Sequence, residues 1–136
     1  MSIEHDVSYR IYRMMELYRR FSDGLYEEMN SFISEDFQGK MYMPWMGEVE
    51  HFDAKGIKEG NRQAADFYKG KNIEFDFTGL SVVPQSDTQA AGSYEVIHRN
   101  SETGAKVRAL ALEVWRKESD GEWRIVRWYE EKGMRI

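Results

Sequence analysis

The sequence contains no cysteine, which removes disulfides, thiolate metal ligands and cysteine nucleophiles from consideration. It has only two prolines, Pro44 and Pro84, so no proline-rich linker divides the chain. No apolar run approaches the roughly 20 residues that a membrane-spanning helix requires. The opening Met1-Ser2-Ile3-Glu4-His5-Asp6 lacks the basic and apolar regions of a secretory leader, and a cytoplasmic location is the expectation. Positive charge is also short. Nineteen Lys and Arg stand against 24 Asp and Glu, a net charge of −5, which opposes a nucleic-acid-binding role. His5, His51 and His98 lie far apart and match no local metal motif. There is no G-x-S-x-G elbow, H-E-x-x-H pair or glycine-rich phosphate loop. Neither a metal nor a cofactor is expected.

What is present suffices for a core. The 136 residues are 41% hydrophobic and 14% aromatic, which suits one domain over residues 1–136. Helical patterns come first and strands follow, the order of an α+β fold. From Val7 to Phe21, the residues Ile11, Met14, Met15, Tyr18 and Phe21 recur at helical spacing. Ser22 or Asp23 can cap a second short helix carrying Leu25, Met29 and Phe32, which Ser34-Glu35-Asp36 closes. A strand from Phe37 to Trp45 alternates Phe37, Gly39, Met41 and Met43 with polar neighbours. After a turn at Met46-Gly47, a short strand runs from Glu48 to Phe52. Asp53 can cap a helix from about Ala54 to Lys69, with a start nearer Gly60 as the alternative because Gly56 and Gly60 weaken its first turns; Ala64, Phe67 and Tyr68 face the core. Strands follow over Asn72–Val83, Thr88–Asn100, Lys106–Lys117 and Glu122–Glu131.

Asp120-Gly121 reads as a two-residue type I′ hairpin turn. That turn sets Ser119 opposite Glu122, Trp115 opposite Val126, Glu113 opposite Trp128 and Ala111 opposite Glu130. A four-residue loop at 101–104 sets His98 opposite Val107, Val96 opposite Ala109 and Tyr94 opposite Ala111. One sheet face then gathers Tyr94, Val96, His98, Ala111, Glu113, Trp115, Val126, Trp128 and Glu130. The other carries Leu110, Leu112 and Val114 with Ile125, Arg127 and Tyr129. Three helices cover only one face of a single sheet, so the second is expected to meet another copy of the chain in a homodimer. The alternative is a face that Arg108, Arg116 and Arg127 keep solvated.

Glu113 is the principal candidate for chemistry. A carboxyl among Trp115, Trp128 and the helices is desolvated, which raises its pKa and suits a general acid or base. The alternative is a structural glutamate satisfied by a tyrosine, an arginine or water. Glu130 shares its face and can pair with Glu113 or, at the rim, with Lys132 or an arginine. His98 is either a proton carrier or a hydrogen-bonding residue near a hairpin end. Met41, Met43 and Trp45 form a soft apolar stripe near the hydroxyls of Tyr18 and Tyr68, as a ligand wall or as plain core.

Three stretches resemble a known superfamily. They are Leu17-Tyr18-Arg19-Arg20-Phe21 through Asp36-Phe37, Gly60-Asn61-Arg62-Gln63-Ala64-Ala65-Asp66-Phe67-Tyr68, and Val114-Trp115-Arg116-Lys117 with Asp120-Gly121-Glu122-Trp123-Arg124-Ile125-Val126. Together with the element order they resemble the nuclear transport factor two-like superfamily, which includes SnoaL-like polyketide cyclases and ketosteroid isomerases. The resemblance implies a cystatin-like α+β roll, a cone-shaped curved antiparallel sheet with three helices closing an apolar pocket, often dimeric through the outer sheet. It implies a small apolar molecule as partner. It sets Tyr18 near the oxyanion-hole tyrosine of ketosteroid isomerases and Glu113 at their protonated acid. Their general-base aspartate, just before a strand-one proline, is replaced by Met43 before Pro44, which argues against steroid-isomerase chemistry. Glu113 is also the nearest counterpart of the acidic residue on which SnoaL-like cyclases rely.

Overall fold

The computed structural model describes residues 2–42, 47–100 and 103–135. Its elements are α1 (Ile3–Arg19), a 3-10 turn (Arg20–Asp23), α2 (Glu27–Ser31), β1 (Ile33–Tyr42), β2 (Val49–Asp53), α3 (Ala54–Tyr68), β3 (Ile73–Ser86), β4 (Gln89–Asn100), β5 (Lys106–Lys117) and β6 (Trp123–Arg135). The strands form one curved, open sheet in the order β2-β1-β6-β5-β4-β3. Neighbours pair antiparallel except β1 and β6, which run parallel because the chain crosses from one end of the sheet to the other between them.

Helix α1 starts where Ser2 caps it, its side chain accepting from the His5 N–H at 3.1 Å. Val7, Ile11, Met14, Met15 and Leu17 form its buried stripe. The following 3-10 turn ends at Gly24, whose φ of 74° is a left-handed cap that a side chain disfavours. Helix α2 begins at Glu27 without the side-chain cap expected from Ser22 or Asp23, and Leu25 ahead of it is exposed. Ser34-Glu35-Asp36 belongs to β1 rather than closing that helix. The alternation of Phe37, Gly39 and Met41 inward against Gln38, Lys40 and Tyr42 outward is present. Met43, Pro44, Trp45 and Met46 lie outside the described residues, as do Ser101 and Glu102 of the β4–β5 loop.

Asp53 caps α3, its Oδ1 accepting from the Gly56 N–H at 2.7 Å. The cap outweighs the helix-weakening glycines, so α3 starts at Ala54 rather than near Gly60. Phe67, expected in the core, is exposed, and Ala65 is fully buried in its stead.

The β4–β5 register places His98 opposite Val107, Val96 opposite Ala109 and Tyr94 opposite Ala111. Gly92 faces Glu113 there, and a Cβ on Gly92 would meet Ile11 Cδ1 at 2.6 Å, so this glycine lets α1 pack onto the sheet. The β5–β6 turn differs from the sequence reading. The Gly121 N–H donates to the Glu118 carbonyl at 2.9 Å with Gly121 at φ 84°, a three-residue loop with a left-handed glycine. Glu118 therefore pairs with Glu122, and Trp115 with Ile125 instead of Val126. A bulge between Ile125 and Arg127 absorbs the one-residue offset, so Glu113 faces Trp128 and Ala111 faces Glu130 as expected. Ile125 accordingly joins the core rather than the outer face. Bulges here, in β1 beside β6 and in β3 at 79–80 sharpen the local twist and bend the sheet around the helices.

Candidate functional site

Between the sheet and the helices lies a cavity of about 450 Å³, inside the range of small-molecule sites. Strands β5 and β6 supply Ala109, Glu113, Ile125, Trp128 and Glu130 to its wall, and Lys132 follows along β6. Helix α1 brings Met14 and Tyr18. Helix α3 brings Ile57, Gly60, Asn61, Ala64 and Tyr68, one stripe at three- and four-residue intervals. A second, polar depression at the β5–β6 turn is occupied by ion pairs of Arg116 and Arg124 with Asp36, Glu118 and Asp120.

Glu113 is fully buried, and neither carboxyl oxygen has a hydrogen-bond partner among the described residues. The Tyr94 hydroxyl and the Trp115 indole N–H are the nearby donors, close enough to favour the charged form without reaching hydrogen-bonding geometry. Burial dominates, with repulsion from Glu130 added, and raises the Glu113 pKa from 4.5 to about 8. At neutral pH Glu113 is mostly the uncharged acid. Burial also raises Glu130, against which Lys132 works by favouring the carboxylate. Burial holds Tyr18 and Tyr94 well above the usual phenol range, reinforced by the nearby carboxyls, so both stay protonated.

The β4–β5 register turns His98 towards the cavity rather than to the surface. Its ring stacks on Phe75, with centroids 4.9 Å apart and planes at 13°, and meets Tyr68 edge-on at 6.1 Å. Burial, then Lys132, lowers its pKa, and its buried Nε2 has no partner among the described residues. The ring is neutral at neutral pH.

Of the residues singled out from the sequence, Tyr18, Met41, Tyr68, His98, Glu113, Trp128 and Glu130 line one cavity. Tyr94 and Trp115 do not line it; both are buried in the layer supporting Glu113. Met43 and Trp45 lie outside the described residues. Sequence reasoning missed Gly60, Asn61 and Phe52, although the spacing 57, 60, 61, 64, 68 is a readable helical stripe. No group of three or more metal-ligating side chains comes together among the described residues, and no described helix is long and apolar enough to cross a membrane.

No family model matches this chain, and no curated protein matches it. Solved structures do. An NTF-2-like protein of unknown function from Pseudomonas aeruginosa superposes with a TM-score of 0.72 at 18% identity, over 95% of this chain and 99% of that one. A candidate scytalone dehydratase from Novosphingobium aromaticivorans gives a TM-score of 0.70 at 20% identity, covering 100% and 91%. A ketosteroid isomerase-like protein from Erwinia carotovora atroseptica gives 0.68 at 15%, covering 96% of each chain. At such identities the likeness carries architecture and not activity. The superpositions span nearly the full length of each chain, so this protein has the nuclear transport factor two-like fold.

Proposed function

We propose that the cavity binds a small apolar carbonyl compound and that the protein moves a proton on it without a cofactor. The observation that carries this reading is Glu113, a fully buried, unpartnered carboxyl on the wall of a 450 Å³ apolar cavity. Leaving such a group unsatisfied is costly, and a ligand oxygen would satisfy it. As a neutral acid, Glu113 donates to the substrate carbonyl, with the protonated Tyr18 hydroxyl as a second donor. A carboxylic acid kept neutral by apolar surroundings is an effective donor to a developing oxyanion. Glu130, one step along the same face, takes the proton from the carbon next to the carbonyl when it is ionised; burial works against that form and Lys132 partly offsets it. The C–H bond breaks towards Glu130, the Glu113 proton passes to oxygen, and the enol is reprotonated at carbon when the steps reverse. His98, Tyr68, Met41 and Trp128 shape the walls.

The test is deuterium uptake next to the carbonyl of 2-tetralone, followed by NMR. Glu113→Gln should lower the enzyme-dependent rate by about 10² or more; full turnover by that variant removes the mechanism. Met43, where the resembled isomerases carry their aspartate base, favours a second reading: a binding module that holds the same ligand unreacted. That reading gives ligand-dependent thermal stabilisation with no exchange. The likeness to a candidate scytalone dehydratase and to ketosteroid isomerase-like proteins supports the small-molecule class and no particular substrate. We extend the reading to a homodimer through the outer face of β5, where Leu110 and Leu112 are 50% and 41% exposed.

A further inference from the structure

Gly60 has no local reason to be glycine. It sits inside α3, where glycine weakens a helix, and its φ is not positive. A Cβ placed on it would find no atom within 4 Å. The contrast within the chain is informative. A Cβ at Gly56 would come within 3.1 Å of the capping Asp53 Oδ1, and one at Gly39 within 2.9 Å of the Phe37 ring. Those glycines make room for protein atoms, whereas Gly60 makes room for none. Yet Gly60 lines the cavity, midway along the α3 stripe between Ile57 and Ala64.

Helix α3 packs mainly on β1, β2 and the 3-10 turn, so the cavity separates it from β5, where Glu113 sits. On either side of Gly60 along the α3 stripe the cavity is lined by Ile57 and Ala64, both apolar. The neighbouring Asn61 is engaged elsewhere: its Nδ2 donates to Asn30 Oδ1 at 3.0 Å, and Asn30 Nδ2 donates in turn to the Lys58 carbonyl at 3.2 Å. The α3 end of the cavity therefore offers bare apolar space, and the β5 end offers an unpartnered acid.

We propose that Gly60 is a specificity-determining residue, and that the occupant is an elongated amphiphile with its polar group at Glu113 and an apolar arm lying against α3 at Gly60. This rests on the cavity being a ligand site. It adds the length of the ligand and the residue that sets it.

Binding of 4-alkylphenols, from ethyl to octyl, measured by calorimetry tests the proposal. On the unmodified protein, affinity should rise roughly fourfold per methylene until the arm fills the space beside α3. Gly60→Leu fills that space. Ethylphenol should bind within twofold of the unmodified protein, while octylphenol should weaken by about 50-fold, a loss of roughly three methylenes. Gly60→Ala should melt no lower than the unmodified protein, since a methyl there is unobstructed, and should trim the series by about one carbon. If Gly60→Leu binds octylphenol as the unmodified protein does, or weakens every member alike, Gly60 does not set ligand length and the pocket reading stands without it. If no alkylphenol binds the unmodified protein while 2-tetralone does, the elongated amphiphile is ruled out and the pocket reading stands; if neither binds, both fall.

Discussion

Replacing Glu113 by glutamine should change how stability depends on pH, and the magnitude follows from the burial of one group. In the unfolded chain this carboxyl titrates near its ordinary value of 4.5; in the folded protein burial holds it at about 8. The folded state thus binds a proton that the unfolded state has released throughout the interval between. Stability falls as pH rises whenever the folded state binds more protons. The contribution is fully present below about pH 4.5 and is lost as pH passes through 8. Over the whole interval it amounts to about 5 kcal/mol, and between pH 5.5 and 8.5 to about 3 kcal/mol. Glutamine keeps the shape and cannot titrate. Urea unfolding of both proteins at pH 5.5, 6.5, 7.5 and 8.5 would give the difference directly, because the remaining titrating groups are common to both. The glutamine variant should gain on the unmodified protein by roughly 1 kcal/mol per pH unit. A difference that stays constant within about 0.5 kcal/mol would mean that Glu113 ionises normally, through water or an unforeseen partner. The acid role proposed for it would then be untenable.

Two further outcomes can be checked. Gly92→Ala should destabilise the protein by about 1–3 kcal/mol in thermal or urea melts, because its Cβ would press on Ile11 Cδ1 at 2.6 Å and Ile11 is fully buried. Leu110→Lys with Leu112→Glu should convert a dimer to monomer in analytical ultracentrifugation with the fold kept by circular dichroism; a monomeric unmodified protein would instead show that the outer face is merely solvated.

How much could be read in advance depended on whether a feature was local. The α1 stripe, the Asp53 cap and the β4–β5 register were legible because helical spacing, a capping side chain and strict alternation each leave a mark within a dozen residues. The inward placement of Glu113 beside Trp128 was legible too, although the turn was misjudged. Asp-Gly suits a two-residue turn and equally a three-residue loop with glycine left-handed, and only the backbone distinguishes them. The compensating bulge left no trace, since Ile125 and Val126 are adjacent apolar residues and both are buried.

Sequence alone determined the class of fold, the absence of cysteine chemistry and the candidate acid, because composition, periodicity and motif spacing are properties of the chain itself. Tertiary structure decided the rest: that β1 runs parallel to β6, that His98 turns inward while Tyr94 and Trp115 stand behind Glu113, and that α3 lays a bare turn at Gly60 along the cavity. Each depends on which segments, distant in sequence, pack against one another, and that is settled by long-range burial and the curvature the bulges impose, neither of which is written in any short stretch of residues.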